Sequence, residues 1–112
     1  MKKNEKVKFD FPNAKRANGW TEFSIPAGES VHEHLIFLSS TPKDELPVYL
    51  KIHVAAQANT GIKFTVVHPH STQVLTMESF LIGTAVALYF EDVKELYVSA
   101  DGLLEGAYVV EV

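Results

Sequence analysis

Five histidines are the residues best equipped for chemistry in this chain of 112 amino acids. His32 and His34 stand two apart in a segment of strand-like alternation, a spacing that points both imidazoles to one face of a pleated strand. His68 and His70 flank Pro69 in a polar stretch that reads as a loop, because proline cannot donate to a ladder. Brought together, the two pairs would offer imidazole ligands for zinc, copper, nickel or iron. His53 falls on the polar face of its own strand. The competing reading leaves all five on exposed strand faces and loop tips, with no cofactor, where they act at most as pH-sensitive interface residues.

A His-x-His placed just after a glycine-containing turn, here Gly28, His32 and His34, resembles the start of the first motif of the cupin family. The resemblance ends with those residues. The gap from the glycine to the first histidine is shorter than in cupins. Leu35 to Ser39 stands where a ligating glutamate would follow, and no second motif with Pro and Gly ahead of a His is present. Cupin activity is therefore not implied.

Other reactive sets are sparse. The chain has no cysteine, which excludes disulfides, thiolate catalysis and Cys-ligated zinc. It has no Gly-x-Ser-x-Gly elbow. Ser71 beside His70 carries no weight, since catalytic partners meet in space rather than in sequence. Asp44/Glu45 and Glu91/Asp92 fall in polar connections and read as solubilising turns and strand ends. A glycosidase would need two carboxylates about 5–10 Å apart across a cleft, for which a domain of this size has little room. The six glycines are scattered and build no phosphate cradle. These residues favour a protein that is not an enzyme. Trp20, Tyr49 and Tyr97 fall on the polar sides of their strands and could form a face for a protein or a glycan, because such rings bury much area at low entropic cost. A register slip of one residue would instead send all three inward.

The elements that must position these residues are strands. Val48, Leu50, Ile52, Val54 and Ala56 alternate with Tyr49, Lys51, His53 and Ala55, the pattern of an antiparallel strand with one wet face. Shorter alternations run through Val7 to Phe11, Thr21 to Ile25, Val31 to Leu38, Ile62 to Val66, Val74 to Met77, Leu96 to Ala100 and Tyr108 to Val112. Asn18-Gly19, Pro26 to Ser30, Gln57 to Gly61 and Asp101-Gly102 punctuate them as turns. Lys43 to Glu45 could form one helical turn. Phe80 to Phe90 reads as one buried strand bent at Gly83 or as two strands, ended by Glu91-Asp92.

This spacing predicts a single all-β domain over residues 1–112: an antiparallel β-sandwich of eight or nine strands, jelly-roll-like, with residues 1–6 a frayed basic end. Net charge is −4 and the pI near 5.7, which argues against nucleic acid, whose binding wants a basic surface. No secretory apolar stretch opens the chain, and the run from Phe80 is far short of the roughly 20 residues that span a bilayer. A soluble protein is expected, cytoplasmic or virion-associated. Leu35–Leu38, Phe80–Phe90 and Val109–Val112 are apolar on both faces, more than a lone sandwich can bury. Surplus apolar surface is commonly covered by a partner, so the first expectation is a structural or interaction subunit that forms a homo-oligomer, with the C-terminal strand as its edge. In style it resembles small accessory proteins of phage particles or tail appendages. The alternatives are a metal- or small-ligand-binding jelly roll using His32, His34, His68 and His70, and a carbohydrate-binding module using Trp20, Tyr49 and Tyr97.

Overall fold

Alternation of period two makes strand of nearly every residue that the computed structural model describes, namely 6–8, 15–17, 19–39, 46–78 and 82–111. The segments are β1 (Lys6–Lys8), β2 (Lys15–Ala17), β3 (Trp20–Ile25), β4 (Ser30–Ser39), β5 (Leu46–Val67), β6 (Thr72–Met77), β7 (Ala85–Val93) and β8 (Glu95–Glu111). Counted with β7 and β8 as one run across Lys94, the described residues hold seven strands, against the eight or nine expected. Two of the strands are long, at 22 and 17 residues, and each covers ground that the alternation assigned to two.

Those two strands are the spine. β5 and β8 run antiparallel from Tyr49↔Glu111 to Val67↔Glu95. On its other side β8 pairs β4 along its first half and β3 along its second. β5 pairs β7 along its first half and β6 along its second. β1 adds to β4 and β2 to β3. All pairings are antiparallel and join into one sheet, curled as a half-barrel. The hydrogen bonding thus joins the described strands into one curled antiparallel sheet, and the two-layer division of a sandwich or jelly roll is not confirmed. β8 lies between β5 on one side and β4 and β3 on the other as far as Tyr108, and Val109–Glu111 of the C-terminal segment expected at an edge pair with β5.

The reason lies in two turn signals that bend strands instead of reversing them. Gln57 to Gly61 and Asp101-Gly102 both sit inside strands, and Asn59 pairs with Gly102. Register shifts lie between Val54 and Ala56 and between Asn59 and Ile62. Gly61 and Gly102 have φ of 125° and 93°, which a side chain would disfavour, and such bulges sharpen the local bend. The Gly102 N–H donates to the Glu29 carbonyl at 2.8 Å, tying the Pro26–Glu29 turn to the bend.

Alternation then fills one face. Val48, Leu50, Ile52, Val54, Ile62, Phe64 and Val66 of β5 meet Leu96, Val98, Leu104, Tyr108 and Val110 of β8, with Phe23, Ile25, Ile36, Phe37, Phe90 and Val93 from the flanks. Ile36 and Phe37 are both buried although consecutive; a bulge between Leu35 and Phe37 supplies the extra residue that makes this possible. Over its described residues, 82–90, the Phe80–Phe90 run is not one buried strand. Ile82-Gly83 is a turn, Ile82 is exposed, and β7 alternates between exposed and partly buried residues until Phe90. Glu91 and Asp92 do not end that strand, which continues to Val93. Phe80, the 43–45 helical turn, residues 1–5 and residues 9–11 lie outside the described residues, while Lys6 of the expected frayed end pairs with Ser39. Among the described residues no helix is long and apolar enough to cross a membrane.

Candidate functional site

β4 begins with a bulge between Val31 and His34, and this breaks the i, i+2 logic that would align His32 with His34. Glu33 takes φ +46°, a conformation uncommon for a residue with a Cβ. His32 is exposed, with its Nε2 3.2 Å from Ser30 Oγ. His34 is partly buried opposite Val98. Glu33 is the residue that becomes engaged. Its N–H donates to Ser99 Oγ at 2.8 Å, and its carboxylate accepts from Thr65 Oγ1 at 3.4 Å and pairs with Lys63 Nζ at 3.6 Å. The strained residue is thus held by a polar set on the outer face of β5 and β8.

His68 and His70 line an open hollow of about 590 Å³ with Gln73, Tyr89, Glu91 and Asp92. Both ring nitrogens of His68 are used: Nδ1 lies 3.1 Å from the Asp92 carbonyl oxygen and Nε2 lies 3.2 Å from Gln73 Oε1. Asp92, at φ +53°, presents that carbonyl. The His68 N–H donates to the Ser71 carbonyl and closes the 68–71 loop on itself, while the His68 ring ties the loop to Asp92 near the end of β7. His32 lines a different hollow, beside Lys63, Ser99 and Asp101. Among the described residues no three His, Asp or Glu side chains form a group able to hold a metal ion. His53 borders a third hollow, floored by Gly106 and edged by Glu22, Ser24 and Glu105. The structure therefore brings His68 together with His70 and two carboxylates, and does not bring either to His32 and His34.

The aromatic set divides as well. Tyr49 is half exposed on the outer face, and its ring centroid lies 4.7 Å from that of Tyr89, its cross-strand neighbour. Trp20 is partly buried and out of phase with buried Thr21, Phe23 and Ile25, hence on the same outer face. Tyr97 belongs to the other half of the sheet, between Thr65 and Leu35 in register. Tyr89 escapes a reading of the sequence because it sits inside an apolar run. Its alternation with Leu88 and Phe90 is the available signal, but its partner Tyr49 lies forty residues away.

Tyr97 donates its phenol proton to Glu95 Oε1 at 2.7 Å. That hydrogen bond, then burial, then the charges of Glu95 and Glu33 push its pKa from 10.0 up to about 12. The folded chain thus holds a proton that the unfolded chain releases near pH 10. The stabilisation from this contact is complete below pH 10 and is lost as pH rises through 12. Urea unfolding at stepped pH is expected to show that decline in the wild type and a shallower one in Tyr97→Phe; equal slopes would refute the assignment.

Comparison of the chain with protein-family models, curated proteins and solved structures gave no match.

Proposed function

We propose that this all-β chain works by association, as a structural or interaction subunit that pairs with a second copy of itself through β6. The observation that carries the reading is the chemistry of the sheet edges. Edge strands invite pairing, and proteins defend them with charge, proline or bulges. By sequence, β1 is Lys-Val-Lys and β2 is Lys-Arg-Ala. β7 contains Glu91 and Asp92, the latter with positive φ. β6, Thr-Gln-Val-Leu-Thr-Met, has no charge, no proline and an unshifted register over all six residues. Among the described residues it pairs with β5 alone.

A second observation supports the same margin. Val74 is 58% exposed. Leu75 and Met77 of β6, with Val86 and Leu88 of β7, pack against the core yet stay partly open. The core thus reaches solvent along the strands on the side of β5 away from β8. Antiparallel pairing of β6 with its copy about a two-fold axis would cover that margin, and an uncharged edge meets itself without repulsion.

Size-exclusion chromatography with light scattering tests this. The wild type is expected to run as a dimer, and Val74→Lys, which sets like charges across the two-fold, as a monomer with association weakened at least about tenfold. Val74 is exposed, so the variant keeps its fold, as circular dichroism will register. A wild-type monomer at high concentration, or a dimer indifferent to Val74→Lys, would overturn the proposal.

A further inference from the structure

The outer face of the first half of the sheet presents three strands side by side at Tyr49 and Lys51, β7, β5 and β8, and β3 joins them from the Ile52 row, where Thr21 pairs Tyr108. One cross-strand row reads Tyr89, Tyr49, Glu111, and the next Ala87, Lys51, Val109, with Trp20 beyond on β3. We propose that this face is a platform for a neutral oligosaccharide, its sugar rings stacked on Tyr49 and Tyr89 and its hydroxyls bonded by Lys51 and Glu111. The site lies apart from the β6 edge and does not depend on it.

The two tyrosines are 49% and 50% exposed, and their rings touch at an interplanar angle of 44°. Each ring restrains the other, so little side-chain freedom remains to be lost on binding. Neither phenol finds a hydrogen-bond partner among the described residues, which leaves both free to bond a ligand hydroxyl. Beside them the Lys51 ammonium and the Glu111 carboxylate lie 3.4 Å apart, each about half exposed, and supply fixed donors and acceptors. Ala85, Ala87 and Ala107 flank His53 and Lys51, and their small side chains leave the surface low. Two strand spacings, about 10 Å, separate β7 from β8 at these rows, enough to seat the rings of an oligosaccharide running across the strands.

Charge narrows the class. Lys51 is already neutralised by Glu111, and Glu91 and Asp92 add negative potential at Tyr89, whose phenol they help push up after burial. Phosphate, sulfate and uronate groups are therefore disfavoured here. A protein hot spot would want a dry apolar surround, whereas these rings border an exposed ion pair. A neutral polyhydroxylated chain meets both conditions.

Affinity electrophoresis through gels containing hydroxyethylcellulose, xylan, galactomannan or glycogen, with dextran sulfate as the anionic comparison, tests the proposal. At least one neutral polysaccharide is expected to retard the wild type. Tyr49→Ala and Tyr89→Ala are each expected to weaken retention about tenfold, while Tyr49→Phe and Tyr97→Ala retain most of it. All these residues are partly exposed, and circular dichroism will register that each variant folds. No retardation by any neutral gel, retardation by dextran sulfate alone, or undiminished retention in a Tyr49→Ala, Tyr89→Ala double variant would each overturn it.

Discussion

Gly106→Ala is expected to destabilise the fold by at least about 3 kcal/mol, the upper end of what overpacking a well-packed site costs. A Cβ at Gly106 would overlap the His53 carbonyl oxygen and come within 3.1 Å of Val54 Cα. Both are backbone atoms, so no rotamer change relieves the clash. Gly106 pairs with Val54 on one side and Phe23 on the other, next to the register shift between Val54 and Ala56. Relief would mean parting β5 from β8 where they bend. Gly28→Ala is the contrast: its φ is +83°, but nothing lies within 4 Å of the added carbon, so it should cost only about 1 kcal/mol, from the backbone conformation alone. Urea or guanidinium unfolding of the three proteins gives the comparison. A Gly106→Ala variant as stable as Gly28→Ala would mean that the two central strands do not approach so closely.

Gly106 also marks where the sequence falls silent. The inward residues of β5 are legible from alternation, because period two is a property of neighbouring residues and survives any tertiary arrangement. Gly106 carries no such mark: its need for a missing Cβ arises from His53, more than fifty residues earlier. Gln57–Gly61 and Asp101-Gly102 have the composition of turns, and composition specifies a local φ, not whether the chain reverses or only bends. That is settled by the pairing of Asn59 with Gly102, a long-range contact. The candidate sites follow the same division. Tyr49 and Trp20 are assignable to an outer face from alternation, but the partner that makes Tyr49 a ring pair is not. Aligning His32 with His34 presumes a regular strand, and the bulge at Glu33 removes it. A non-glycine residue with positive φ in a strand is held by the hydroxyls and the lysine around it, none of which is adjacent in sequence.

Phe64→Ala and Leu75→Ala together test how the core is closed. The two residues face each other across the β5–β6 pair, yet Phe64 is 1% exposed and Leu75 only partly buried. Phe64→Ala is expected to cost about 3–5 kcal/mol through lost transfer energy and the cavity left behind. That cost arises wholly within one copy and is therefore independent of protein concentration. Leu75 sits at the open margin, so its truncation in an isolated copy removes less buried surface and should cost about 1–2 kcal/mol. If a second copy covers β6, the wild-type thermal midpoint rises with protein concentration, because association stabilises the folded state by mass action. Leu75→Ala would then flatten that dependence as well as lower the midpoint, whereas Phe64→Ala lowers the midpoint and leaves the slope. Calorimetry over a concentration range of about a hundredfold separates the two. A wild-type midpoint that does not move would mean that the margin along β6 stays open to water, and the uncharged edge would then have no partner in its own kind.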